Sequence, residues 1–194
     1  ERGSDGENQL NAGLGPYVRA HANDFPAIVV FPQAPENGEW MGKNVDMALA
    51  ALDAATEEFN GDPKRTYLTG LSMGGYGTWE TAINAPARFA ALVPICGALL
   101  APRPGREIYV TEVAGAADPY TALASRVKHI PIWIFHGAKD DVVPPDDDRK
   151  SFAALQAAGA NVQYTEFPDA DHNSWDATYQ LDAMWAWLFA QRKD

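Results

Sequence analysis

The sequence predicts an α/β fold, a mostly parallel sheet of about five strands flanked by helices. Two observations carry this. Short apolar runs bounded by turn residues alternate with longer stretches of helical period, as repeated βα units require. The strand-like runs, among them Ala27-Ile28-Val29-Val30-Phe31 and Pro131-Ile132-Trp133-Ile134-Phe135, are continuously apolar rather than alternating. Both faces of such a sheet are covered, which points to parallel pairing.

In chain order, the 27–31 run is the first strand. Asn44 stands at an N-cap position, and Val45, Ala48, Leu49, Leu52 and Ala55 repeat at helical spacing, predicting a helix over 44–59. A second strand over 67–69, inside the β-rich run 65–69, runs into a helix over 73–84. A third strand covers 91–95 and a fourth 131–135, followed by a helix over 146–158 that ends at Gly159. The last strand covers 162–167, and a helix over 175–191 closes the chain. Asp146-Asp147-Asp148 puts negative charge at a helix N-terminus, where the dipole favours it.

With 194 residues and 46% apolar content, the chain is sized for a single domain over 1–194. Glycine, proline and tryptophan are spread along it, leaving no repeat or linker. A net charge of -11 with only fifteen Lys and Arg argues against nucleic-acid binding. No stretch approaches the roughly 18–20 apolar residues of a membrane span, and Glu1-Arg2-Gly3-Ser4-Asp5-Gly6 has no signal-peptide pattern. The single cysteine, Cys96, rules out a disulfide within the chain and reads as a small buried hydrophobe. The compartment and the assembly state, homo-oligomer included, are left open.

Chemistry enters at Gly70-Leu71-Ser72-Met73-Gly74, between a strand and a helix. That is a nucleophile elbow, a turn so sharp that its serine is strained and its close neighbours must lack bulk. A serine hydroxyl is a weak nucleophile until an imidazole takes its proton, and the imidazole needs a carboxylate to orient it. In open α/β sheets such partners gather beyond the carboxyl ends of the strands. Of four histidines, His21 and His129 lie near strand starts, and His136, beside Gly137, reads as a packed structural residue. His172 follows the last strand and is the expected base. After the fourth strand come Asp140 and Asp141; Asp140 is the expected acid and Asp141 its near alternative. The set calls for no metal and no cofactor. The chain order Ser72, Asp140, His172 is that of α/β-hydrolases.

With Gly70-Leu71-Ser72-Met73-Gly74-Gly75, His136-Gly137 with Asp140 and Val143-Pro144, Asp171-His172-Asn173-Ser174-Trp175, and Phe31-Pro32-Gln33-Ala34-Pro35 leading to Trp40, the chain resembles serine esterases of the α/β-hydrolase superfamily. It is similar to the carboxylesterase, dienelactone-hydrolase and polyhydroxybutyrate-depolymerase-like enzymes, including those called predicted peptidases. The resemblance implies Ser72 as nucleophile, Asp140 as acid, His172 as base and the Met73 backbone N–H as an oxyanion donor. It also implies a strand ending in His-Gly-x-Gly just ahead of residues 1–6, lying between the 27–31 and 65–69 strands and supplying a second donor. Without it, either those two strands pair directly or another chain fills the gap. The Gly3 to Gly6 N–H groups or the Gln33 side chain are the expected substitutes for the second donor. Gln33, Trp40 and Trp175 are the expected substrate-binding residues, with Tyr76 on the pocket wall or in the core. Aromatic walls and an acidic surface favour a small neutral ester, short-chain acyl or aryl. A peptidase or amidase is the second reading among hydrolases, a non-catalytic binding protein is the alternative from a different class, and a metal hydrolase is third.

Overall fold

A computed structural model of the chain describes residues 2–193. In order, its elements are α1 (Leu14–Ala20), α2 (Lys43–Glu58), β1 (Tyr67–Leu71), α3 (Met73–Asn84), β2 (Ala91–Ile95), α4 (Thr111–Ala114), α5 (Pro119–Val127), β3 (Ile132–Gly137), α6 (Asp146–Ala157), β4 (Val162–Phe167), α7 (Trp175–Tyr179) and α8 (Asp182–Ala190). The four strands form one parallel sheet in the order β1-β2-β3-β4. Leu71 pairs with Ile95 and Gly137 with Phe167. All four strands therefore end along one edge, where the turns into the following elements collect.

The pleat divides the continuous apolar runs between two layers. On β2, Leu92 packs with Tyr76, Trp79 and Leu123, whereas Ala91, Val93 and Ile95 pack on the opposite face with Tyr179, Met184 and Leu188. On β3, Ile132 and Ile134 join the first layer and Phe135 the second. Leu92, Ile95, Ile132, Ile134 and Phe135 are fully buried. Each such side chain contributes about 1.5–3 kcal/mol of hydrophobic stabilisation.

The 27–31 strand does not form. That segment is without assigned secondary structure and Ile28 is 49% exposed, so the sheet has four strands rather than about five. An apolar run becomes a strand only where a neighbour takes up its backbone groups. Here a cavity of about 990 Å3, lined by residues 27–31, by Leu49 and Leu52 of α2 and by β1, lies between it and the sheet. The two segments do not pair directly.

Three smaller expectations are corrected. The cap of α2 is Gly42, with φ 51°, and Asn44 instead donates its side-chain amide to Glu39 O at 2.7 Å. The 175–191 helix is two helices, because Leu181 is extended (φ -85°, ψ 101°). That break lets the Trp185 indole N–H donate to Tyr179 O at 2.7 Å, while the Tyr179 hydroxyl meets Thr69 Oγ1 on β1 at 3.0 Å. The three aspartates opening α6 do more than complement a dipole. Asp146 pairs with Arg149 at the surface, Asp147 accepts the Leu99 and Leu100 N–H groups at 2.7 and 3.2 Å, and Asp148 is fully buried against His136.

Candidate active site

Ser72 sits between β1 and α3 with φ 52° and ψ -116°, a backbone region that costs a non-glycine residue about 1–3 kcal/mol. The turn is held from both sides. Ser72 N–H donates to Ile95 O at 2.9 Å and to Cys96 Sγ at 3.3 Å, and Ser72 O accepts from Gly75 and Tyr76 N–H at 2.8 and 3.2 Å. The need for small neighbours is specific. A Cβ at Gly70 would lie 2.2 Å from Gly74 O, and one at Gly75 would lie 2.7 Å from Ile95 O; one at Gly74 would meet nothing within 4 Å. Of the two motif glycines expected to lack bulk, only Gly70 is sterically required for its own Cβ.

Two further strand ends deliver the other members. His172, in the loop after β4, brings Nε2 to 2.8 Å from Ser72 Oγ and Nδ1 to 2.7 Å from Asp140 Oδ2. Asp140, in the loop after β3, accepts the Val142 and Val143 N–H groups on Oδ1, each at 2.9 Å. Asp141 is exposed; Asp140 makes the contact to His172. Since a carboxylate only accepts, His172 Nδ1 carries the proton and Nε2 is free to accept from Ser72. Burial opposes the charge on Asp140, yet hydrogen bonds from His136, His172 and Val143 N–H hold its carboxyl well below the usual range.

Behind Asp140 lies a group that the sequence marked only as structural. His136 is fully buried, with Nδ1 2.8 Å from Asp148 Oδ2, and Nε2 2.8 Å from Val143 O and 3.2 Å from Asp140 Oδ2. Burial disfavours its charge, but Asp140 and Asp148 outweigh that and raise it to about 10. Burial also raises Asp148. The two shifts describe one proton retained between the pair at neutral pH. The signals in the sequence were a histidine four residues ahead of Asp140 and an aspartate on the next helix, too ordinary to single out.

Met73 opens α3, so its N–H has no acceptor within the helix. Trp40 and Trp175 line the cavity beside Ser72 and His172. Trp175 also stands edge-on to the His172 ring at 5.6 Å, and Trp40 packs over Gly77 of α3. Gln33 is not brought to this cavity wall. Its Oε1 accepts from Gly6 N–H at 2.8 Å and its Nε2 donates to Asp5 Oδ1 at 3.0 Å, while Gly3 N–H donates to Ala34 O. Glu1 lies outside the described residues. Tyr76 is core: it is buried and its hydroxyl donates to Leu100 O at 3.0 Å. Cys96 is buried as expected, but its contact with Ser72 N–H was not foreseen, nor its φ of 42°. Its sulfur, Asp140 and His172 have donor atoms within 4.8 Å of one another. Burial pushes the thiol up, and both imidazole nitrogens are already bonded, which leaves no ready ligand set there. No helix among the described residues is long and apolar enough to cross a membrane.

A parallel sheet with helices on both faces and a strained serine turn at the end of a strand defines the α/β-hydrolase class of fold. Within that class the chain belongs to the prolyl oligopeptidase family, whose family model matches residues 35–193. It is similar to the crystal structure of a thermostable esterase, with 31% identity and a TM-score of 0.81 over 100% of this chain and 52% of that one. It is 28% identical to esterase LipQ of Mycobacterium tuberculosis over 165 residues, 69% of this chain and 39% of LipQ. It is 27% identical over 152 residues to the uncharacterized peptidase YuxL of Bacillus subtilis, 70% of this chain and 23% of YuxL. The chain thus spans about half or less of the length of these relatives.

Proposed function

We propose that the chain is a serine hydrolase that cleaves short-chain acyl or aryl carboxylic esters through an acyl-enzyme. The observation that carries this is the continuous hydrogen-bonded line from Ser72 Oγ through His172 to Asp140. His172 Nε2 takes the Ser72 proton as Oγ attacks the ester carbonyl carbon, and Asp140 stabilises the imidazolium that forms. The Met73 N–H, at the positive end of α3, stabilises the oxygen as it becomes an oxyanion. His172 then gives its proton to the departing alkoxide. Water, deprotonated by His172, attacks the acyl carbon, and Ser72 leaves with the returned proton. Trp40 and Trp175 give the adjoining wall an aromatic surface suited to a neutral acyl or aryl group.

A fluorophosphonate probe tests the chemistry directly. Labelling of the folded protein that disappears in Ser72→Ala and persists in chelator is the expected result; no labelling of the folded wild type would favour a binding protein that keeps the constellation without its reaction. The family and the peptidase relative support a second reading, amide cleavage by the same groups. A matched ester and anilide separate the two, and faster anilide turnover overturns the ester assignment.

A further inference from the structure

We propose that His136 is held as an imidazolium and is a positioning residue for Asp140, fixing and partly neutralising the carboxylate oxygen that orients His172. The inference rests on the serine-hydrolase reading for its kinetic consequence, though the charge state itself does not. Asp140 Oδ2 has two imidazole neighbours, His172 Nδ1 at 2.7 Å and His136 Nε2 at 3.2 Å. Every oxygen around the His136 ring belongs to a carbonyl or a carboxylate: Val143 O and Asp140 Oδ2 face Nε2, and Asp148 Oδ2 faces Nδ1. Carbonyl and carboxylate oxygens only accept, so Nε2 must carry a proton.

The state of Nδ1 is decided by Asp148. Its other oxygen, Oδ1, is buried without a partner, and so is the Trp79 indole N–H, a group that can only donate. Burial works against charge on the Asp148 carboxyl and raises it, while the His136 ring and the Trp79 indole work for the charge. A proton on Oδ1 would have no acceptor, so the proton shared by the pair lies on the 2.8 Å line between Nδ1 and Oδ2, and in the proposed state it belongs to the ring. The remaining charged or titratable groups around the ring are few. Asp147 lies beside Asp148 on α6, Glu166 is the β4 partner of His136, and Tyr76 and Cys96 reach the same cluster from α3 and the end of β2. Glu166 is already paired with Arg149, which leaves Asp140 and Asp148 as the carboxylates in contact with the ring.

Positive charge beside Asp140 Oδ2 has one kinetic effect. It keeps Asp140 ionised while lessening the pull of that carboxylate on a proton at His172 Nδ1. The His136–Asp148 pair is neutral overall, and its cationic member is the nearer to Asp140.

The test has two arms. In protein labelled with 15N-histidine, the four rings are resolved by their nitrogen shifts, and His136 should show both nitrogens protonated at pH 7.5. A neutral His136 ring with a bare Nδ1 overturns the proposal. The double variant His136→Gln, Asp148→Asn removes the charge pair while keeping hydrogen-bonding side chains. Provided it folds, as its circular dichroism and Tm would report, the acid limb of the pH profile for fluorophosphonate labelling of Ser72 should move up by about half a unit or more. A folded double variant whose limb does not move overturns the positioning role, because loss of packing alone lowers the rate at every pH without displacing the limb. Failure of the hydrolase reading would be seen separately, as wild-type protein that is never labelled whatever the His136 ring shows.

Discussion

Replacing Gly70 by alanine puts a methyl group where the α3 backbone already is. Its Cβ would lie 2.2 Å from Gly74 O, 2.5 Å from Gly74 C and 2.9 Å from Gly74 Cα. Ordinary carbon–oxygen contact is nearer to ~3.5 Å, so the elbow must open by about 1 Å, and all three obstacles are main chain that no rotamer change can move aside. Overpacking of this kind costs about 1–3 kcal/mol. A displacement of about 1 Å at a reacting group is worth on the order of 100-fold in rate. Gly74→Ala is the control within the same motif, since its Cβ meets nothing within 4 Å and the position lies inside α3. There alanine should be neutral or stabilising by up to about 1 kcal/mol. Urea midpoints and fluorophosphonate labelling rates of the two variants give the comparison. Equal damage from both, or an unimpaired Gly70→Ala, would refute the steric account of the turn.

Asp140→Asn leaves a side chain of the same size but presents the wrong partner to His172 Nδ1, and turnover should fall on the order of 10,000-fold, together with a measurable loss of Tm because the buried carboxylate facing His136 is neutralised. His136 binds its proton more tightly in the folded state than in the unfolded chain, where the ordinary value is 6.5. The stability it supplies is therefore complete below pH 6.5 and is lost as pH rises through about 10, and urea midpoints should decline across that window. In the His136→Gln, Asp148→Asn variant this decline should flatten. Trp185→Ala removes a ring stacked on Tyr17, Tyr179 and Phe189 together with the indole bond to Tyr179 O. A cost of about 3–5 kcal/mol by denaturant titration is expected.

The meeting of Ser72, Asp140 and His172 was legible because each needed only a strand to end before it, and continuous apolar runs reveal strand ends well. The choice between Asp140 and Asp141 was legible only in part: adjacent residues differ by which one the loop turns inward. What escaped was set by tertiary partners. Residues 27–31 have the composition of a strand, but pairing decides whether they become one. No glycine or proline marks the break at Leu181, because it is made by Tyr179 reaching Thr69 and Trp185 reaching back to Tyr179 O. The His136–Asp148 contact joins β3 to α6 through the core, and nothing local to either residue announces it. Gln33 looked available because its neighbours in space, Asp5 and Gly6, are far from it in sequence.

Among the described residues, the strand that carries Ser72 is braced along one side only, by β2, with the cavity along the other. Local opening of a strand is easiest where it has the fewest neighbours to separate from. Amide protons of β1 should therefore exchange with solvent faster than those of β3, which is paired on both sides. Breathing of that strand would carry Ser72 with it while Asp140 stays anchored at the end of β3, so the proton path to the serine would be broken and remade each time its own strand opens and closes.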